Sequence, residues 1–236
     1  MAKRFFGALC AGIASVMLIV ALLIMSIEMF ALNPSFFTSE YAKLNTAQDI
    51  GFSEQDLTAV TNKLINYIVD ADDNLDMQAS IGGEIQEVFG EREKDHMVDV
   101  KALYLSARDV RTVFLIGAAV LIAITILIKK KQALKTLCKS FLYVSGVFVV
   151  IVGALGLYAA IDFTSFWISF HHLFFTNDLW LLDPRTDVLI QMVPEQFFSD
   201  LVARIIIRFV SLFLALNAAA AAGLIIIKKR SKAVEA

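Results

Sequence analysis

The chain contains three histidines, His96, His171 and His172, and their neighbours decide what chemistry they could do. His96 and Asp99 stand three residues apart, so on a helix they share a face. A carboxylate so placed can hold an imidazole in one tautomer and stabilise its protonated form, the orienting role that a general base needs. Spacing of this kind is common on protein surfaces, and it needs a partner before it means chemistry. Phe170-His171-His172-Leu173-Phe174-Phe175 supplies one, placing two ionisable rings among residues that otherwise sink into lipid. Burial disfavours the charged imidazole, so a neutral ring able to accept a proton is expected there. The pattern points to general acid/base work by His96, His171 and His172, with Asp99 as orienter. The bland alternative is a surface His–Asp pair beside two interfacial histidines.

Other chemistries fit less well. There is no His-Glu-x-x-His or other compact ligand spacing, and adjacent His171 and His172 on a helix diverge by about 100°, so neither a metal nor a cofactor is expected. Asp70, Asp72, Asp73, Asn74 and Asp76 invite a calcium reading. Leu75, however, stands where the turn glycine of an EF-hand belongs and Ile81 where its bidentate glutamate belongs, which leaves a solvated acidic loop. Thr164, Ser165 and Ser169 lack a nucleophile-elbow pattern around them. Cys10 and Cys138 are not expected to pair, and without a basic patch interleaved with stacking aromatics no nucleic-acid partner is expected.

The elements that must position these groups belong to a membrane protein. Hydrophobic residues make up 58% of the chain and mean hydropathy is positive. Four stretches approach the roughly 20 apolar residues that a helix needs to cross about 30 Å of hydrocarbon: residues 5–27, 113–128, 141–160 and 205–227. The second is short, but residues 103–110 continue its helical pattern and make it one long helix. The first follows Lys3 and Arg4 like a signal peptide, yet its apolar run is too long and lacks a cleavage site, so it is expected to remain as a helix. Segments 1–4, 129–140 and 228–236 hold 11 of the 21 Lys and Arg residues and a single acid, Glu235, which makes them cytoplasmic. The expected fold is an all-α integral membrane protein, 1–236 forming a single membrane domain, with four transmembrane helices and both termini inside. Segments 31–111 and 161–203 are then extracytoplasmic, and all three histidines lie on that outer side.

The first outer segment is too long to be a simple connection. Ser53-Glu54-Gln55-Asp56 resembles a capping box, and Leu57, Val60, Leu64, Ile65 and Ile68 follow at helical spacing. The resulting apolar stripe could lie on the membrane surface or pack on the neighbouring long helix; the scarcity of basic residues favours packing. The second outer segment carries nine aromatics in residues 161–200, about twice the chain's density, and is expected to lie in the outer interface. Trp180 to Asp187, with Pro184, reads as a turn, and Pro194-Glu195 opens a helix into the last span. Arg204 and Arg208 share a face of that helix near the outer interface, free to snorkel or to grip an oxygen of a headgroup.

At His96-Met97-Val98-Asp99-Val100-Lys101, and at Phe170 to Phe175 with Asn177-Asp178-Leu179-Trp180 and Pro184, the sequence resembles the lipoprotein intramolecular transacylases of Gram-positive bacteria. The resemblance implies that one fatty acyl chain moves from the diacylglyceryl-modified N-terminal cysteine of a lipoprotein onto that cysteine's own α-amino group. Its partners would be diacylglyceryl-modified bacterial lipoproteins and membrane lipids, and its site would face outward from the cell membrane, without a cofactor. On that footing His171 or His172 serves as base, His96 as second acid/base or oxyanion donor, and Asp99 orients His96. Trp167 and Trp180 belong to the aromatic belt that seats acyl chains, while Arg185, Arg204 or Arg208 positions polar headgroup atoms. The residues suit this chemistry, since an α-amino group with a pKa of about 8 must lose a proton before it attacks an ester. The competing reading is a non-enzymatic membrane sensor or binding protein that uses the first outer loop; a metal-dependent hydrolase is a third.

Overall fold

A computed structural model describes residues 2–235; the side chains of Arg4 and Glu235, used in the charge argument above, lie outside those described. In chain order the elements are α1 (Ala2–Ala31), α2 (Pro34–Leu44), α3 (Thr46–Ile50), α4 (Glu54–Ile68), β1 (Gln78–Ile81), β2 (Glu84–Glu87), α5 (Glu91–Lys129), α6 (Ala133–Ile161), α7 (Phe163–Phe174), α8 (Val188–Met192) and α9 (Glu195–Glu235). They form two compact units built from discontinuous segments. Met1–Ser26, Asp109–Ala160 and Ile206–Ala236 make one; Ile27–Arg108 and Ile161–Ile205 make the other.

The first unit is all helix. Among the described residues three helical stretches are long and apolar enough to cross a membrane: Phe5–Ala31, Glu91–Ile161 and Glu195–Ala233. The middle one is interrupted by a 3-10 turn at Lys130–Gln132, where Lys130 has a φ of +48°. The expected spans 113–128 and 141–160 lie on either side of that turn, and α5 is the single long helix anticipated from residues 103–110. Ile19, Phe209 and Phe213 are buried, with Leu22, Phe141, Val144 and Phe148 packed around them. Thr125 satisfies its hydroxyl by donating to the carbonyl of Leu121, four residues back. Val147, Val150, Leu157 and Ile207 are exposed instead, an arrangement that is stable where hydrocarbon replaces water.

The second unit has a folded core of its own. Phe197 at the start of α9 lies against the rings of Phe36, Phe37 and Tyr41 of α2, at centroid distances of 5.5, 5.0 and 6.0 Å. Ser53 caps α4 by accepting from the N–H of Asp56, as the capping pattern predicts. Leu57, Val60, Leu64 and Ile65 are buried in the same cluster as Phe89, Met97 and Met192, so the amphipathic stripe packs against protein. Three of the acids that follow α4 are ion-paired: Asp70 with Lys101 at 2.7 Å, Asp72 with Lys63 at 3.7 Å and Asp76 with Lys94 at 2.7 Å.

The all-α expectation requires one correction, because β1 and β2 form an antiparallel hairpin with Ala79 opposite Gln86 and Ile81 opposite Glu84. Gly82 and Gly83, at φ +63° and +92°, supply the left-handed pair that a two-residue hairpin loop demands. Four-residue strands with a mostly polar, exposed partner leave too short an alternation to stand out from a loop. Gly51 ends α3 at φ +89°, and its carbonyl accepts from the N–H of Gly82 at 2.9 Å. A Cβ at Gly51 would stand 2.9 Å from that backbone nitrogen. Gly51→Ala is therefore expected to destabilise this unit by about 1–3 kcal/mol, through left-handed strain and loss of the close approach. Thermal unfolding in detergent micelles reads the shift, and an unchanged midpoint would contradict the argument.

Candidate active site

Two helix starts and one loop set the site in the second unit. At the head of α5, Glu93 is 3% exposed; its Oε2 accepts from the N–H of Gly90 at 2.6 Å, and its Oε1 from the N–H of Leu189 at 2.6 Å. One carboxylate thus closes the first turn of α5 and fastens it to the start of α8. Burial pushes the Glu93 carboxyl up, against the two N–H groups that favour its charge. α7 is capped by Asp162, whose side chain accepts from both the N–H and the hydroxyl of Ser165, at 2.9 and 2.6 Å. That hydroxyl is engaged as a cap, consistent with the missing nucleophile pattern. Beyond α7, Asn177 makes an Asx turn by accepting from the N–H of Leu179 at 3.1 Å, and Arg92 of α5 donates to the carbonyl of Asp178.

These constraints bring His96 of α5 and His171 of α7 together. Each is 7% exposed, and their ring centroids lie 6.2 Å apart. His171 Nδ1 donates to the carbonyl of Trp167 at 2.8 Å. A carbonyl can only accept, so the proton of the neutral ring sits on Nδ1 and Nε2 keeps its lone pair. Trp180 stacks on His171 at 4.6 Å, Trp167 meets it edge-on at 4.8 Å, and Phe175 lies 5.4 Å from His96. Two polar atoms of this aromatic nest, His96 Nδ1 and Trp180 Nε1, are buried without a hydrogen-bond partner. Buried polar groups are normally satisfied, so unpaired ones mark places a bound molecule can fill.

Both imidazoles are held neutral. Burial, then the neighbouring His171, push His96 down to about 4, opposed weakly by Asp99. Burial lowers His171 as well, opposed by its bond to the Trp167 carbonyl. Stability follows with a definite sign: as pH falls from about 6.5 toward 4, the unfolded chain takes up a proton that folded His96 refuses. The unit is expected to lose up to about 3 kcal/mol across that window from His96 alone. Comparing unfolding of the wild type and His96→Gln between pH 7 and 4 checks this; identical pH slopes would refute it.

The remaining candidates separate. His172 is exposed and meets the edge of Trp180 at 5.3 Å, pointing away from the buried pair as two adjacent helical residues must. The orienting bond expected from Asp99 to His96 is not made. Asp99 Oδ2 accepts instead from Asn177 Nδ2 at 2.8 Å, because the loop after α7 offers a donor while the imidazole turns into the aromatic nest. Asp99, Asn177, Leu103, Ser106, Phe174 and Phe175 line a cavity of about 290 Å³. Arg185 is exposed and closed onto Asp183, its Nη2 and Nε donating at 2.6 and 3.0 Å. Arg204 and Arg208 are exposed on α9.

The family model for the lipoprotein intramolecular transacylase Lit matches residues 12–198. The chain belongs to this family. As a Lit-family protein it is an acyltransferase, and the binding-protein alternative gives way to it. Its fold is similar to the in meso structure of the membrane-integral lipoprotein intramolecular transacylase Lit from Bacillus cereus. The two share a TM-score of 0.78 and 20% identity over 97% of this chain and 99% of that one. Two single-histidine variants of the Bacillus cereus protein are similar too. The one with arginine in place of histidine gives a TM-score of 0.69 at 22% identity, covering 98% and 95% of the two chains. The one with alanine gives 0.73 at 21%, covering 97% of each. No curated protein sequence matches the chain.

Within this Lit-family chain, one contributor, Glu93, escaped the sequence reading. Glu93 could have been found: a glycine followed three residues later by glutamate, just ahead of a helix, is the returning half of a capping box. Its second bond, to Leu189, spans 96 residues and had no local signal.

Proposed function

We propose that the chain crosses the membrane four times with both termini inside, and that its outward site moves one acyl chain within a lipoprotein. The donor is an ester of the diacylglyceryl group on the N-terminal cysteine. The acceptor is that cysteine's own α-amino group, and the product is an N-acyl, S-monoacylglyceryl lipoprotein. The nitrogen attacks the ester carbonyl carbon, and His171 Nε2 takes the proton lost from nitrogen. The same ring returns it to the glycerol oxygen as the carbon–oxygen bond breaks, leaving an amide and a free hydroxyl. No protein nucleophile is needed, because donor and acceptor belong to one molecule and positioning supplies much of the rate.

The observation that carries this reading is the fixed tautomer of His171, buried, neutral and with Nε2 open. The unpaired Trp180 Nε1–H and His96 Nδ1 are the polar atoms available to the carbonyl oxygen as it gains charge. Phe170, Trp167 and Phe174 extend the aromatic surface along α7 for the acyl chains. Mass spectrometry of a diacylglyceryl lipoprotein incubated with the purified protein tests the proposal. The total mass should stay constant while one acyl group relocates to the N-terminal amine; a substrate left unaltered sinks it.

A further inference from the structure

Several aspartates of the second unit are paired with cations. Asp70, Asp72, Asp76, Asp183 and Asp200 each face a lysine or arginine. Asp99 is half-buried, accepts from the neutral Asn177 amide, and pairs with no lysine or arginine among the described residues. It lies on the wall of the 290 Å³ cavity, beside apolar Leu103, Phe174 and Phe175. Phe175 touches both His96 and His171, with centroids 5.4 and 5.7 Å away, so the cavity adjoins the histidine pair. An anion held on a partly dry wall, with one hydrogen bond and no counter-charge, is a site for a cation.

We propose that this cavity is the subsite for the substrate's α-ammonium group, with the Asp99 carboxylate as its anchor and Asn177 holding that carboxylate in place. The inference rests on the transacylase reading above and adds the recognition step. Before transfer the amine, with a pKa of about 8, is mostly protonated at neutral pH; after transfer it is a neutral amide. The charge on that nitrogen is what distinguishes substrate from product at this end of the molecule. An anionic subsite therefore holds the free amine and releases the acylated one. Asp99 acts on the ground state, and proton removal is left to His171.

Asp99→Asn removes the charge while its amide oxygen still accepts from Asn177. With a diacylglyceryl lipopeptide as substrate, KM should rise about 10- to 100-fold, the worth of a charge-assisted hydrogen bond, while kcat holds within about threefold. An orienter of His96 would instead lower kcat at constant KM, and that outcome overturns the proposal. A second measurement uses ether-linked dialkylglyceryl lipopeptides, whose chains cannot be transferred, with the amine either free or acetylated. The wild type should bind the free amine at least about tenfold more tightly, and Asp99→Asn should bind both alike. Unchanged binding of the acetylated ligand shows that the variant is folded. A variant that keeps the preference for the free amine refutes the subsite. Failure of the wild type to convert the diester substrate, with the ether-ligand preference intact, would count against the reaction and leave the subsite standing.

Discussion

Replacing His171 by alanine is expected to lower the rate of acyl transfer by about 10²- to 10⁴-fold, the usual worth of a positioned general acid/base. The ring nitrogen toward Trp167 is committed to a carbonyl, so Nε2 is the basic atom, and burial keeps it unprotonated near neutral pH. Glutamine at this position fills part of the space but offers no basic nitrogen, so His171→Gln should fail nearly as badly. His172→Ala, by contrast, removes an exposed ring and should stay within about tenfold of the wild type, mostly through its contact with Trp180. Reconstituted variants, matched for unfolding temperature and assayed by mass spectrometry, give the ranking. A His171→Ala protein that turns over normally, or a His172→Ala protein that does not, would exchange or abolish the roles assigned to the two rings.

Glu93→Ala should be the most destabilising single change near the site, by about 2–4 kcal/mol, because it leaves two buried backbone N–H groups without an acceptor. Glu93→Gln should cost less, about 1–3 kcal/mol. One amide oxygen still accepts, but the NH₂ that replaces the other oxygen confronts an N–H donor. Activity should fall along with stability, since His96 follows one turn after Glu93 and a shifted α5 misplaces it. Chemical unfolding of the two variants reads the order, and a glutamine variant less stable than the alanine one would show that packing and not hydrogen bonding sets the cost.

The sequence determined what its local physics could carry. Long apolar runs specified α1, α5, α6 and α9; Ser53 and the spacing after it specified α4; Pro194-Glu195 specified where α9 begins. Each is a signal completed within a turn or two of helix, or within one stretch of composition. The same kind of reasoning singled out the three histidines, since ionisable rings among lipid-seeking residues are conspicuous by type alone. Which two of them meet was decided by tertiary structure. His96 and His171 are 75 positions apart, and their approach depends on α5 being fastened to the loop after α7 through Asp99–Asn177 and Arg92–Asp178, and to α8 through Glu93–Leu189. Asp99 shows the limit most clearly. Three-residue spacing put it on the face of His96, but a carboxylate takes whichever donor the fold delivers, and the loop after α7 delivers Asn177. Helical periodicity fixes a direction around one axis; the partner at the end of that direction comes from another segment, and only the packed chain supplies it.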